Sequence, residues 1–340
     1  MVDKAAPVRR SCFERKSLEA VVTPARAFWV REPGIGEIRQ CFVEYNDADE
    51  VLVETTYSAV SRGTETLVFT GRVPPSQYDV MRAPFQEGEF GGPVKYGYLN
   101  VGVVREGPVH LVGRTVFCLY PHQTHYVVPA DVVTVVPDDV PPARAVLGGT
   151  VETAVNALWD ARPLIGDRVA VVGAGMVGCA VAGILATFPG LRLQLVDIDP
   201  ARQQVADALG VEFVTPDGAA DGCDLVVHAS TTEAGLRKAL ELLRADGRVI
   251  ELSWYGDQDV SLPLGERFHS ARLTVRSSQV GTVARPDRTH AERMQLALTL
   301  LRDARFDALI TGESRFEELP DVLPALADGS LPALCHRIAY

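Results

Sequence analysis

Paired cysteines are missing. The six in the chain stand at positions 12, 41, 118, 179, 223 and 335, so no Cys-x-x-Cys unit exists for a redox pair or a zinc ribbon. Isolated thiols of this kind are expected in a reducing cytosol. Surplus positive charge is missing too. Lys and Arg number 33 against 44 Asp and Glu, a net charge of −11, which argues against nucleic acid or an anionic membrane as the main partner. The stretch MVDKAAPVRRSCFERK has no apolar centre, so no secretory signal is expected there. Residues 169–191 carry no charge, but glycines break the run, and a strand, a turn and a helix explain it better than a membrane span. Internal repeats and low-complexity segments are also absent.

What is present has the length of two domains, 340 residues. Residues 1–148 are rich in valine, proline and glycine. Short β-type runs (VLVETTYSAV, VGVVREG, RTVFCLY, HYVVPADVVTVVP) recur there between turn residues, predicting a β-rich, partly barrel-like unit. Across 149–283 the rhythm becomes strand and helix in alternation. RVAVV, RLQLVDID, DLVVHAS and RVIELSW read as strands, with helices between them at Met176–Phe188, over PARQQVADALG, and from TEAGLRKALELLRADG to an end at Gly247. Such βαβ alternation implies a parallel sheet covered on both faces, an α/β class. Residues 284–340 hold two more helical patterns and a last strand, CHRIAY, expected to return to the first unit.

VVGAGMVG supplies Gly173, Gly175 and Gly178 as G-x-G-x-x-G, with a strand before it and a helix after. Gly173 permits the tight turn, Gly175 lets a pyrophosphate approach the backbone, and Gly178 lets helix and strand close together. Met176 and Val177 fall inside the turn, where the helix offers unpaired N–H groups and a positive dipole end. Asp197 ends the next strand, nineteen residues past Gly178, placed to accept the adenosine ribose hydroxyls and to repel a 2′-phosphate. NAD is therefore expected over NADP, with Arg202 close enough to soften the preference. The competing reading is a buried glycine turn with a capping acid.

GDRVAVVGAGMVG, VDIDPAR and the order of the three parts resemble the medium-chain dehydrogenase/reductase superfamily, over nearly the whole chain. The resemblance implies a GroES-like catalytic domain, a Rossmann domain, a nicotinamide cofactor, a small-molecule substrate and a homodimer. PVKYGYLNVGVV resembles the superfamily's P-V-x-P-G-H-E-x-x-G-V-V segment, whose His-Glu pair sits at a catalytic zinc. Here those positions are Tyr98 and Leu99. Ser61 in SRGTET stands where the ligand cysteine would be, Gly149 falls near the later ligand, and the structural-zinc lobe is missing. Zinc takes thiolate, imidazole and carboxylate in a tetrahedral set, so no zinc is expected. His122 and His125 in YPHQTHY remain an alternative metal pair without a third ligand. SAVSRGTETLVFTG and VKYGYLNVGVV look most like the branch containing bacteriochlorophyllide a dehydrogenase, which oxidises a hydroxyethyl side chain on a tetrapyrrole.

Without a metal, the developing alkoxide needs a hydrogen-bond donor. Tyr98 holds the lost ligand's place and is the first choice. Thr64 matches the superfamily's proton-relaying Thr/Ser. Ser61 and Glu65 are further candidates, and His122 can exchange protons near neutral pH. Lys95 could lower the Tyr98 phenol pKa, though its position suggests a surface loop. Thr153 matches a threonine beside the nicotinamide and Val177 an apolar residue behind the ring. Ser230 and Thr231 sit where the loops approach ribose, and Trp254 and Tyr255 follow a strand end facing the crevice. The expected protein is a cytoplasmic, zinc-independent NAD(H) oxidoreductase of alcohols and ketones. Its rivals are an NADPH-dependent enone or quinone reductase and a non-catalytic dinucleotide-binding protein.

Overall fold

The computed structural model describes residues 20–340, so Cys12 and the stretch MVDKAAPVRRSCFERK lie outside the described residues. The α/β class read from the sequence is the one observed: a GroES-like β-rich part joined to a Rossmann sheet.

Six strands form the Rossmann sheet in the spatial order Glu212–Val214, Arg192–Val196, Arg168–Val172, Cys223–His228, Leu243–Glu251, Thr274–Ser277, all parallel. Valine and leucine dominate the central strands because helices cover both faces and no strand face meets water. The order reverses between Arg168–Val172 and its neighbours. In such sheets the crevice beyond the strand carboxyl ends is where ligands bind.

Two helices end earlier than their sequence patterns predict: Met176–Leu185 stops short of Phe188, and the helix expected to reach Gly247 stops sooner still. The latter runs Glu233–Leu242. Leu243 is taken into the sheet opposite Cys223, and Asp246 adopts a left-handed φ of +58°, so LRADG forms the strand entry and a turn. Sheet pairing outweighs the helix propensity of Leu243, Arg244 and Ala245 here.

The β-rich part holds a sheet ordered Ile310–Arg315, Cys335–Ala339, Glu50–Ser61, Asn100–Glu106, Thr115–Cys118, Thr134–Val135, with His125–Pro129 paired to Glu50–Ser61. A second sheet centres on the hairpin Val21–Glu32 and Ile35–Tyr45. Cys335–Ala339 runs antiparallel to Glu50–Ser61, so the last strand lies beside the strand that ends at Ser61. One apolar core crosses between the two parts. Ala59, Leu99, Val101 and Phe117 pack with Val146, Leu147 and Val151 of the connecting segment and helix Gly148–Ala161, and onward to Val169 and Val171. This shared core fixes the strand ends of the β-rich part against the crevice of the Rossmann sheet.

Candidate active site

The glycine turn has the shape its spacing implies. Gly173 has φ +106°, and a side-chain carbon there would lie 2.6 Å from the Ser230 backbone nitrogen. One at Gly178 would lie 1.9 Å from the Gly173 carbonyl oxygen. One at Gly175 would meet nothing within 4 Å, so open space lies above the turn. Helix Met176–Leu185 begins there with no side-chain cap on its N-terminus, which leaves its first N–H groups facing that space. The residues therefore fit a dinucleotide pyrophosphate.

Asp197 is partly buried at the end of its strand. Its Oδ2 accepts the Ala174 N–H at 2.6 Å and its Oδ1 the Asp199 N–H at 2.9 Å. These bonds hold the carboxylate at the lip of the turn. Arg202 reaches Asp199 at 3.2 Å. Thr153 turns back to its own helix, donating to the Gly149 carbonyl at 2.9 Å.

Ser230 and Thr231 belong to a network the sequence did not reveal. His228 is fully buried; its Nδ1 lies 2.7 Å from Glu251 Oε2 and its Nε2 2.7 Å from the Ser230 hydroxyl, both within hydrogen-bond distance. Tyr255 donates to the same Glu251 oxygen at 3.2 Å, and the Thr231 N–H donates to Ser253 Oγ at 3.1 Å. Burial pushes the Tyr255 phenol pKa up, and the Glu251 charge adds to it. Thr231 has φ +57°, an uncommon conformation for a β-branched residue. His228 and Glu251 are register neighbours on adjacent strands, 23 residues apart, and only strand pairing could have joined them. Trp254 leaves this loop to pack with the core of the β-rich part, beside a cluster that Tyr98 also joins. Arg72 and Asp257 pair across the same gap at 2.8 Å.

Two of the other five proposed catalytic residues, Ser61 and His122, bond to Glu65. Strand Glu50–Ser61 passes directly into helix Arg62–Phe69, placing Ser61, Thr64 and Glu65 on one short turn. The hydroxyls of Ser61 and Thr64 lie near the Tyr98 phenol and favour its ionised form. Glu65 Oε1 accepts the Ser61 N–H at 2.7 Å, and its Oε2 accepts from His122 Nε2 at 2.9 Å. Glu65 is 3% exposed and His122 1%. Burial, with the Glu65 charge second, pushes the Tyr98 phenol up to about 12. The phenol therefore keeps its proton at neutral pH.

Lys95 differs from its expectation. It is 3% exposed and buried rather than on a surface loop. Its Nζ donates to Gln123 Oε1 at 2.7 Å, pairs with Glu87, and lies 5.3 Å from the centre of the Tyr120 ring. Those partners hold the ammonium, and no effect of Lys95 on Tyr98 is found.

The residues at the expected zinc position do not fit the ion. Leu99 is fully buried and lies against Gly149, a hydrocarbon where a ligand would stand. Among the described residues no three His, Cys, Asp or Glu side chains group as a metal set. His122 is committed to Glu65 and Ser58, while His125 bonds the Thr124 hydroxyl at 3.3 Å.

No family model matches the chain. Alcohol dehydrogenase-like 7 of Arabidopsis thaliana is 30% identical over 223 residues, 58% of this chain and 55% of the relative. The match thus spans little more than half of that relative's length. L-idonate 5-dehydrogenase of Escherichia coli superposes with a TM-score of 0.79 at 15% identity, covering 95% of this chain and 100% of the other. An alcohol dehydrogenase of Escherichia coli CFT073, complexed with the cofactor NADH, gives 0.75 at 15% identity over 93% and 99%. The likenesses to solved structures show the fold.

Proposed function

We propose that the chain is a zinc-independent, NAD(H)-linked oxidoreductase that interconverts a secondary alcohol and a ketone. The observation that carries the reading is the glycine turn, with open space above Gly175 and Asp197 held at its lip, in a chain whose Tyr98 packs against the cores of both parts. The turn Gly173–Gly178, with the N–H groups of Met176 and Val177, would hold the pyrophosphate, and Asp197 the adenosine ribose. Thr153, Ser230, Thr231 and Trp254 would border the nicotinamide end. When bound, the dinucleotide supplies or accepts the hydride. Tyr98 donates its proton to the ketone oxygen as negative charge develops there; its raised pKa keeps that proton in place at neutral pH. Ser61 and Thr64 orient the phenol and stabilise the phenolate that forms.

The finer assignments belong to the same reading. NAD is favoured over NADP because Asp197 would face a 2′-phosphate, with Arg202 the only nearby counterweight on its loop. A ketone or hydroxyethyl side chain on a ring, such as a tetrapyrrole or pterin, is the proposed substrate class, from the resemblance of SAVSRGTETLVFTG. A homodimer in the cytoplasm completes it; no described helix is long and apolar enough to cross a membrane.

Cofactor titration followed by turnover on a panel of ring-substituted ketones, simple ketones and enones tests the proposal. NADH is expected to bind at least about tenfold tighter than NADPH, a gap of about 1.4 kcal/mol, and to reduce a ketone. NADPH preference with activity on enones alone would make the chain a C=C reductase. NADH binding with no turnover would make it a non-catalytic binder.

A further inference from the structure

We propose that His228 and Glu251 are a positioning pair that shapes the nicotinamide half of the crevice and leaves the adenosine half alone. The inference rests on the dinucleotide reading of the glycine turn and deepens it. Both side chains act through the loops that follow them.

The two residues end adjacent strands. His228 closes Cys223–His228, Glu251 closes Leu243–Glu251, and the strand register sets them opposite each other. A crevice loop follows each at once, residues 229–232 and 252–257. The side chains meet at 2.7 Å, and both are buried. Glu251 holds the second loop twice: its Oε1 accepts the Ser253 N–H at 2.7 Å and its Oε2 the Tyr255 hydroxyl at 3.2 Å. His228 holds the first, with Nε2 2.7 Å from the Ser230 hydroxyl, which lies 2.9 Å from that of Thr232. The Thr231 N–H donates to Ser253 Oγ at 3.1 Å and ties loop to loop. A side-chain carbon at Gly235 would lie 2.0 Å from Ser230 Oγ and 2.8 Å from His228 Nε2, so the first turn of helix Glu233–Leu242 presses on the same pair.

Position decides which half of the cofactor depends on the pair. Asp197 follows the strand on one side of Arg168–Val172, and the pair lies on the strands of the other side. A dinucleotide lies across such a sheet with one nucleotide on each half. With the adenosine ribose at Asp197, the nicotinamide falls to loops 229–232 and 252–257. The first loop rests on the glycine turn, where the Ser230 nitrogen leaves no room for a side chain at Gly173. The second crosses to the β-rich part. Trp254 joins the core cluster that Tyr98 also meets, a side-chain carbon at Gly256 would lie 2.7 Å from the Arg72 carbonyl oxygen, and Asp257 pairs with Arg72. Thr231 is held at φ +57°, and strain of that kind persists only where the surroundings impose it. Apolar residues of similar volume stabilise a core as well as a buried charged pair does. What His228 and Glu251 supply beyond that is directed bonds to two loops.

The test titrates the unaltered protein, the double variant His228→Leu with Glu251→Leu, and Glu251→Gln with NADH and with ADP-ribose, which is the cofactor without its nicotinamide. The double variant should bind ADP-ribose within about twofold of the unaltered protein but NADH at least about tenfold more weakly, with kcat on a ketone lower by about tenfold or more. Its cofactor-free form should melt within about 5 °C of the original, because no charge is left buried without a partner. Glu251→Gln keeps an oxygen for the Ser253 N–H and should lie between the two in NADH affinity. NADH and ADP-ribose affinities that both stay within about twofold, or that fall alike, would overturn the positioning role. If the double variant does not fold, the same two titrations of Glu251→Gln decide. NADH weakened by about threefold or more with ADP-ribose unchanged then supports the role, and equal changes overturn it. An unaltered protein that binds neither ligand would overturn the dinucleotide reading and the pair's role with it. One that binds NADH but reduces no ketone would overturn the dehydrogenase reading alone, because the titrations need no turnover.

Discussion

Leu99 rests on Gly149: a side-chain carbon added to the glycine would come within 2.7 Å of Leu99 Cδ2. Both positions correspond, by resemblance, to zinc ligands, and here one is a buried hydrocarbon filling the space the other leaves. Leu119 and Phe117 complete the contact at 3.6 Å each. These two positions therefore offer a metal no ligand, and on the proposed reading charge developing on a substrate oxygen would be met by hydrogen bonds.

Purified protein should consequently carry well under one zinc per chain, below about 0.1 by elemental analysis. Dialysis against a chelator should leave its melting temperature and NADH affinity unchanged. A stoichiometric zinc whose removal lowers either one would contradict the fit of these residues.

Removing the phenol proton isolates its contribution. Tyr98→Phe keeps the ring that meets Tyr96 edge-on at 6.0 Å, so folding should be little affected. Ketone reduction should fall by about 10²–10⁴ in kcat, the usual range for a positioned acid, with NADH affinity unchanged. Activity within about twofold of the original would remove Tyr98 as donor. The pH dependence has a defined sign. Burial raises the phenol from 10 to about 12, so Tyr98 stays protonated throughout the neutral range and contributes no loss of reduction rate there. The unfolded chain releases this proton near pH 10 and the folded chain near 12, so stability from Tyr98 is complete below 10 and declines as pH rises through that window. Alkaline melts of Tyr98→Phe should show a shallower decline.

The Rossmann half was legible because its signals are local. Strand, glycine turn, helix and Asp197 fall within about thirty residues, and each follows from backbone space or period. The β-rich half gave its class but not its pairings. Glu65 and His122 lie 57 residues apart and Ser58 and Tyr340 lie 282 apart, joined only by sheet register. Lys95 was misplaced for the same reason: Gln123 and Tyr120, which bury it, come from a distant segment. Local pattern located the candidates Ser61, Thr64, Glu65, Tyr98 and His122 but could not say that they touch.

One buried ion pair ties the returning tail to the connecting helix. Arg293 is 1% exposed; it donates to Glu152 Oε1 at 3.0 Å, Asn156 Oδ1 at 2.5 Å and the Val280 carbonyl at 2.6 Å. Arg293→Met leaves the Glu152 carboxylate buried without its cation, and burial already raises that carboxyl. Urea unfolding should show a loss of about 3–5 kcal/mol, as for other broken buried pairs. Arg293→Met with Glu152→Met should recover much of it, because no charge is then stranded. Equal losses in the single and double variants would show that the packing, not the charge, was at stake.

The glycine turn permits a sharper separation of fold from binding. A methyl at Gly178 collides with the Gly173 carbonyl at 1.9 Å, and the backbone itself must move. Gly178→Ala should therefore destabilise the protein by about 1–3 kcal/mol, the range for overpacked sites, and weaken NADH binding as a consequence. A methyl at Gly175 meets nothing in the protein within 4 Å. Gly175→Ala should melt within about 1 °C of the original, since surface changes away from special features alter stability by less than about 0.5 kcal/mol. It should still lose NADH affinity by about tenfold or more, because the added carbon stands where the pyrophosphate approaches. Calorimetric melting and a fluorescence titration of the two variants read the two effects separately. If Gly175→Ala binds NADH as tightly as the original, the open space above the turn is not a phosphate cradle, and the nicotinamide reading loses its structural basis.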